Sequence, residues 1–162
     1  MKTRSGQCWR IAAVLSLVMA AGTISASGPI SVYAIVDKVI FEPNETAPQR
    51  IQIWGAFSVA AQQYSTNYSA AQKGYLYYKV DRSNPGFEQS TRATWADLKK
   101  AAGTGEAIGF GGGYTTGAVG RVRKATEKPD SPDAFPVGNP VTRLGSSQQD
   151  MVAKLKAALK AT

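Results

Sequence analysis

Histidine is absent from this 162-residue sequence, and cysteine occurs only once, at Cys8. The Ser-His-Asp and Cys-His arrangements of hydrolases are therefore excluded, and so is a zinc site made of these ligands. The sequence also lacks a Ser-x-x-Lys motif, which would supply a lysine base to a serine nucleophile. These absences favour a protein that binds another molecule without catalysis, and they predict neither a cofactor nor a metal.

A hydrophobic run long enough to span a membrane is missing as well. Residues 1–10 are basic and carry no acid, residues 11–21 are apolar, and residues 22–28 are small and mostly polar. The apolar part is too short for a membrane-spanning helix, which needs about 20 residues. This three-part order is typical of a cleavable signal peptide. We expect residues 1–27 to be removed and the rest to be exported, periplasmic or secreted; a buried first helix and a retained anchor are the alternatives.

Removal of residues 1–27 changes both the charge and the redox chemistry of the chain. It takes away the cysteine and three of the 19 basic residues, which leaves 16 Lys and Arg against 11 Asp and Glu, a net charge of +5. A secreted chain without disulfides is more typical of a bacterial envelope than of an animal extracellular space. The positive charge favours acidic partners, namely anionic lipid head groups, acidic polysaccharide or nucleic acid; solubility alone is the other explanation.

Alternating and β-branched residues predict a β-rich domain at residues 28–126. The predicted strands are residues 30–41, 50–59, 74–80, 107–113 and 118–124. After the third strand, apolar residues recur at helical spacing from Trp95, which predicts a helix at residues 91–102 that ends at Gly103.

The C-terminal part follows a different pattern. Residues 127–146 contain four prolines and predict an extended segment, while residues 147–162 predict an amphipathic helix capped by Ser147 and Asp150. The apolar stripe of this helix consists of Met151, Val152, Leu155 and Leu159. We expect the stripe to dock on the protein's own sheet; an anionic membrane or a partner protein is the alternative.

The order strand, strand, strand, helix, strand, strand over residues 30–124 resembles that of the OB-fold and of small exported bacterial OB-fold domains. The resemblance lies in the element order. It implies an α+β fold built on a small five-stranded OB-like β-barrel with a helix between strands 3 and 4, followed by the proline-rich segment and the C-terminal helix. It also implies a binding surface on the second and third strands and the loops beside them.

Aromatic and basic residues on those two strands are the candidate ligand-binding residues. They are Arg50, Gln52 and Trp54 on one parity of the second strand, Tyr75, Tyr77 and Lys79 on one parity of the third, and Arg121 and Arg123 farther along the chain. Flat rings stack on sugars or bases, and cations hold acidic groups. The same aromatics would equally suit a core, because one face of each strand must be buried.

Other candidate sites have weaker support. Two carboxylate pairs, Glu42 with Glu45 and Asp130 with Asp133, lie in proline-bearing turns, where acids commonly serve the turn itself. The second pair lacks the ligand density of a dedicated calcium site. The glycines of residues 103–113 follow a predicted helix and run into strands, whereas a phosphate-binding loop precedes a helix.

The sequence therefore predicts an exported, non-enzymatic binding or accessory module of the cell envelope. Its expected partner is an acidic or carbohydrate ligand, such as an acidic polysaccharide or another anionic envelope component, or another envelope protein. Two alternatives stay open: an extracytoplasmic nucleic-acid binder that uses an OB-like face, and a hydrolase that depends on a carboxylate pair.

Overall fold

The computed structural model describes residues 30–60, 67–80, 85–111, 119–135 and 139–162, which form an α+β fold of one curled, mixed sheet and two helices. The strands are β1 (Val32–Glu42), β2 (Arg50–Val59), β3 (Gln72–Lys79), β4 (Ala107–Gly111), β5 (Asp133–Ala134) and β6 (Asn139–Arg143). The helices are α1 (Pro85–Ala101) and α2 (Gln149–Lys160), and a 3₁₀ turn at Ser146–Gln148 precedes α2. The expected signal peptide lies outside the described residues.

The strand order in the sheet is β5-β3-β2-β1-β4-β6. All neighbouring strands are antiparallel except β3 and β5, which run parallel. The two strands at opposite edges, β5 and β6, are consecutive in the chain and only residues 135–138 separate them. A short connection between the two edges requires the sheet to curl, because a flat sheet of this width would hold them several strand spacings apart.

Strand β1 contains a bulge at Asp37 that exchanges its two faces. Val36 and Lys38 pair with consecutive residues of β2, so Asp37 is an extra residue in the ladder. Since side chains alternate along a strand, one extra residue reverses which parity faces inward. Val36 packs into the core before the bulge and Val39 after it. Apolar residues therefore occur on both parities of this strand.

The inner face of the sheet carries the main core. Its fully buried members include Val32 and Ala34 of β1, Ile51, Ile53 and Phe57 of β2, Leu76 and Tyr78 of β3, Phe110 of β4 and Leu98 of α1. The Tyr78 hydroxyl donates a hydrogen bond to the Val119 carbonyl oxygen at 2.6 Å, which satisfies the one polar atom of that ring. Burial raises the pKa of Tyr78, so this hydroxyl stays protonated.

Helix α2 docks on the outer face of the sheet, as the sequence predicted. Leu155 is fully buried and belongs to a cluster with Ile35, Ala56 and Ala107 of three strands. Met151, Val152 and Leu159 pack against the same cluster. The predicted cap at Ser147 is wrong, because Ser147 lies inside the 3₁₀ turn and α2 begins without a side-chain cap.

The predicted strand at residues 118–124 is also wrong. Residues 119–124 form no strand, and only Arg123 makes an isolated bridge, to Tyr75. Gly120 explains the interruption, because its φ of 98° lies in the left-handed region and breaks an extended backbone. The sheet instead gains β5 and β6 from the segment for which the sequence predicted an extended linker.

The other strands form close to where the sequence predicted them, and β2 has the predicted bounds. Helix α1 starts earlier than expected and ends before Gly103, as expected. Residues 112–118 lie outside the described residues, so the end of the predicted fourth strand is not described. Within the described ranges, no helix is both long and apolar enough to cross a membrane.

Candidate functional site

The six candidate residues on β2 and β3 form three cross-strand pairs on the outer face. Their pairing is Arg50 with Lys79, Gln52 with Tyr77, and Trp54 with Tyr75. The antiparallel register thus brings together residues that are about 25 positions apart in the sequence. Side chains opposite each other in such a ladder have Cβ atoms about 5 Å apart. The two ends of this row differ in exposure, since Arg50 and Lys79 are exposed while the aromatic end is largely covered.

The aromatic end is not an open stacking platform. Tyr75 is 1% exposed and Tyr77 is 4% exposed, while Trp54 is half-buried. The sequence allowed either an open binding surface or a buried position for these aromatic residues. The structure buries the two tyrosines. Apart from Arg50 and Trp54, every residue of β2 is buried, so both faces of most of this strand are covered.

Residues 121–131, here called the strap, cover this end of the face. The backbone of Arg123 exchanges two hydrogen bonds with Tyr75, each of 2.9 Å. The Tyr75 hydroxyl donates to the Glu127 carbonyl oxygen at 2.9 Å. Burial is the main cause that raises the pKa of Tyr75. The strap is thus attached to β3 through both the backbone and the ring of one residue.

The guanidinium of Arg123 fixes the strap from inside. It is 2% exposed and donates to Asp130 Oδ1, to Asp133 Oδ2 and to the Ser131 carbonyl oxygen, each at 3.0 Å. Its central carbon lies 5.6 Å from the centroid of the Tyr77 ring, which is within range of a cation–π contact. The planar fork of arginine suits several acceptors at once. Arg123 therefore has a structural role in the fold.

Arg121 lies on the outside of the same strap, whereas Arg123 is buried. It donates to Glu127 Oε1 at 3.0 Å and to Asp130 Oδ2 at 3.1 Å. The hydrogen bond from Arg123 holds the pKa of Asp130 below its ordinary value. The pKa of Glu127 is also lowered, first by the Lys124 backbone N–H and then by Arg121. Both carboxylates therefore stay charged at neutral pH.

Trp54 connects the covered end of the face to the exposed end. Its ring stacks on Tyr75 with centroids 4.6 Å apart, and its Nε1 donates to Gln52 Oε1 at 2.9 Å. Gln52 in turn donates to Glu42 Oε1 at 2.6 Å. Lys38 lies with its Nζ 5.0 Å from the centre of the Trp54 ring. Lys38 could not be selected from the residue pattern, because only the bulge in β1 turns it to this face.

A cleft lies at the exposed end of the row. Its volume is about 460 Å³, and it is lined by Gln49, Arg50, Lys79, Val80 and Pro132. The two charged residues of this lining are both cations, and neither forms an ion pair with a described carboxylate. Two exposed cations without an acidic partner create a positive potential that attracts an anionic group.

The carboxylates that the sequence singled out are engaged within the fold. Glu42 accepts from Gln52, Glu45 pairs with Lys99, and Asp130 and Asp133 share Arg123. The described ranges contain no group of three or more residues that could hold a metal ion. No protein family matches the sequence, and no curated protein and no solved structure matches it either.

Proposed function

We propose that the protein is an exported, non-enzymatic binding module of the cell envelope that recognises an acidic ligand at the cleft between Arg50 and Lys79. The observation that carries this proposal is the pair of exposed cations, neither of which pairs with a described carboxylate, in a cleft of about 460 Å³ whose described lining has no acid. The net charge of the chain favours the same class of ligand. An acidic polysaccharide fits best, because it offers successive carboxylates to an open surface.

The strand pairing supports an OB-like barrel as the scaffold of this site. Strand β5 pairs with β3 at one edge of the sheet, and β6 pairs with β4 at the other. Because β5 and β6 are separated by only four positions in the sequence, the proposal treats them together as a fifth strand that joins both edges. In this proposal the cleft lies on the second and third strands, where the OB-fold binds oligosaccharides and oligonucleotides.

Polysaccharide is favoured over nucleic acid by the burial of Tyr75 and Tyr77. Single-stranded nucleic acids are held by bases that stack on open aromatic rings, and these two rings are covered by the strap. A hydrolase is disfavoured because each acid of the two carboxylate pairs already has a cation or an amide as its partner.

The test is titration of the purified protein with alginate, a polyuronate, against dextran, a neutral glucan. We expect saturable binding to alginate only. The double variant Arg50→Ala/Lys79→Ala should bind about tenfold more weakly or worse, because two charge-assisted contacts are lost. The matched control is Lys156→Ala/Lys160→Ala, which removes the same charge from the exposed side of α2.

Equal losses in the two double variants would show that net charge alone attracts the polysaccharide, and this would contradict a specific cleft. The salt dependence gives a second criterion. Affinity for a polyanion falls as the salt concentration rises. The slope of log affinity against log salt should therefore be less steep by about two in the cleft variant than in the wild type. Export is tested separately, by cell fractionation and by the mass of the exported chain, which should lack the N-terminal segment that ends near residue 27.

A further inference from the structure

A second, smaller pocket lies between helix α1 and the end of β1. Its volume is about 170 Å³, and it is lined by Phe41, Glu45, Arg92, Trp95, Ala96 and Lys99. None of these residues contributes to the Arg50–Lys79 cleft. The lining combines aromatic rings with two cations and one carboxylate, so the pocket offers both an apolar wall and charged groups.

Trp95 forms part of the wall of this pocket, and within the described part of the chain its buried indole N–H is an unsatisfied donor. Trp95 is 5% exposed, and its Nε1 is buried without a hydrogen-bond partner. The rings of Phe41 and Phe135 lie edge-on to the Trp95 ring, with centroids 6.1 and 6.3 Å from its own, and neither side chain carries a hydrogen-bond acceptor such as an oxygen. Buried donors without a partner are uncommon, because such a group loses its water and gains no acceptor in return.

The charged groups beside Trp95 are available for exchange. Lys99 pairs with Glu45, and these two side chains are 56% and 58% exposed. Arg92 pairs with Glu88 one turn earlier on α1. Exposed ion pairs contribute little to stability, so a carboxylate from outside can replace Glu45 on Lys99 at small cost. The displaced Glu45 returns to solvent, and no buried charge is left unpaired.

We propose that this pocket binds a small monocarboxylate with a short apolar tail. The carboxylate pairs with Lys99 and Arg92, and the tail packs against the rings of Phe41 and Trp95. The volume of about 170 Å³ suits a small ligand of this kind. The pocket shares no lining residue with the Arg50–Lys79 cleft, and the inference is therefore independent of the proposed function.

Butyrate is the probe, because it has six non-hydrogen atoms and one charge. The indole N–H signals of the protein labelled with ¹⁵N report on binding directly, and Trp95→Phe identifies the Trp95 signal by deleting it. Trp54 is an internal control, since its Nε1 already donates to Gln52. We expect the Trp95 signal alone to shift and to saturate with a Kd of about 1 mM, as a good fit of six atoms allows.

Two controls decide whether the carboxylate is recognised. Butyramide has the same shape without the charge, and it should bind about tenfold more weakly. Lys99→Met should weaken butyrate binding to a similar degree, whereas Lys100→Met, on the neighbouring 81%-exposed side chain, should not. An unresponsive Trp95 signal at saturating butyrate, an equal response to butyramide, or identical behaviour of the two lysine variants would each overturn the proposal.

Discussion

The outer face of the sheet is covered at two places by different chemistry. Helix α2 covers one place through apolar contacts, with Leu155 in a cluster of Ile35, Ala56 and Ala107. The strap covers the other through hydrogen bonds and ion pairs centred on Arg123. The first cover depends on area removed from water, and the second depends on the direction and protonation state of polar groups.

This difference predicts how each cover fails. Apolar burial is non-directional, so the helix tolerates small shifts and is insensitive to pH. The strap requires each acceptor to stay where the Arg123 fork reaches it, and it requires charged carboxylates. We therefore expect a change in protonation, or the displacement of a single atom, to release the strap from the sheet.

The largest effect is expected from Leu155→Ala, which opens a cavity under α2. Leu155 is fully buried, and truncation of a buried leucine costs about 3 kcal/mol of unfolding free energy. Chemical denaturation measures this loss. Lys156→Ala, at the adjacent exposed position, should change stability by less than about 0.5 kcal/mol. A loss at Leu155 as small as at Lys156 would contradict the docking of this helix.

Gly74→Ala should release the strap and leave α2 in place. A Cβ at this position would lie 2.0 Å from the carbonyl oxygen of Arg123, so the backbone of the strap must move. We expect a loss of about 2 to 3 kcal/mol, as for an overpacked core position. Hydrogen exchange should show lost protection at the Arg123 amide with no change in α2. An equal loss of amide protection in the strap and in α2 would mean that the two covers unfold together.

Arg123→Gln and Arg121→Gln make the same chemical change on the two sides of the strap. The buried Arg123 makes three hydrogen bonds, and its loss should cost about 2 kcal/mol. Arg121 is half-exposed, with 53% of its side chain accessible, so its loss should hardly change the melting temperature. If the two variants lowered the melting temperature by similar amounts, burial would not explain how strongly each arginine stabilises the fold.

Acid should loosen the strap without loosening α2. The folded-state pKa values of Asp130 and Glu127 lie below their ordinary values of 3.8 and 4.5. Their stabilising effect is therefore complete above about pH 4.5 and is lost as the pH falls through the lower folded-state values. The Trp54 indole signal should move over that range, while the methyl signal of Met151 should not. Asp130→Asn should reduce the Trp54 response.

Some features of the site were predictable from residue patterns, and others were not. The parity of Arg50, Gln52 and Trp54 placed them correctly on one face of β2. The only indication of the bulge at Asp37 in the sequence is that apolar residues occur on both parities of β1, and this pattern does not by itself identify a bulge. The pattern of residues 118–124 suggested a strand. Val119 and Val122 do pack in the main core, but the backbone between them is not a strand.

Local sequence thus determined the main strands, the two helices, the apolar stripe of α2 and the shared parity of the candidate residues. These properties depend on side-chain periodicity, which is encoded in neighbouring positions. Tertiary structure alone decided which sheet face is covered twice, that Tyr75 and Tyr77 are buried, and that Arg123 lies inside the strap while Arg121 lies outside. Such outcomes depend on contacts between segments about 50 residues apart, and no local pattern encodes which distant segment will cover a given strand.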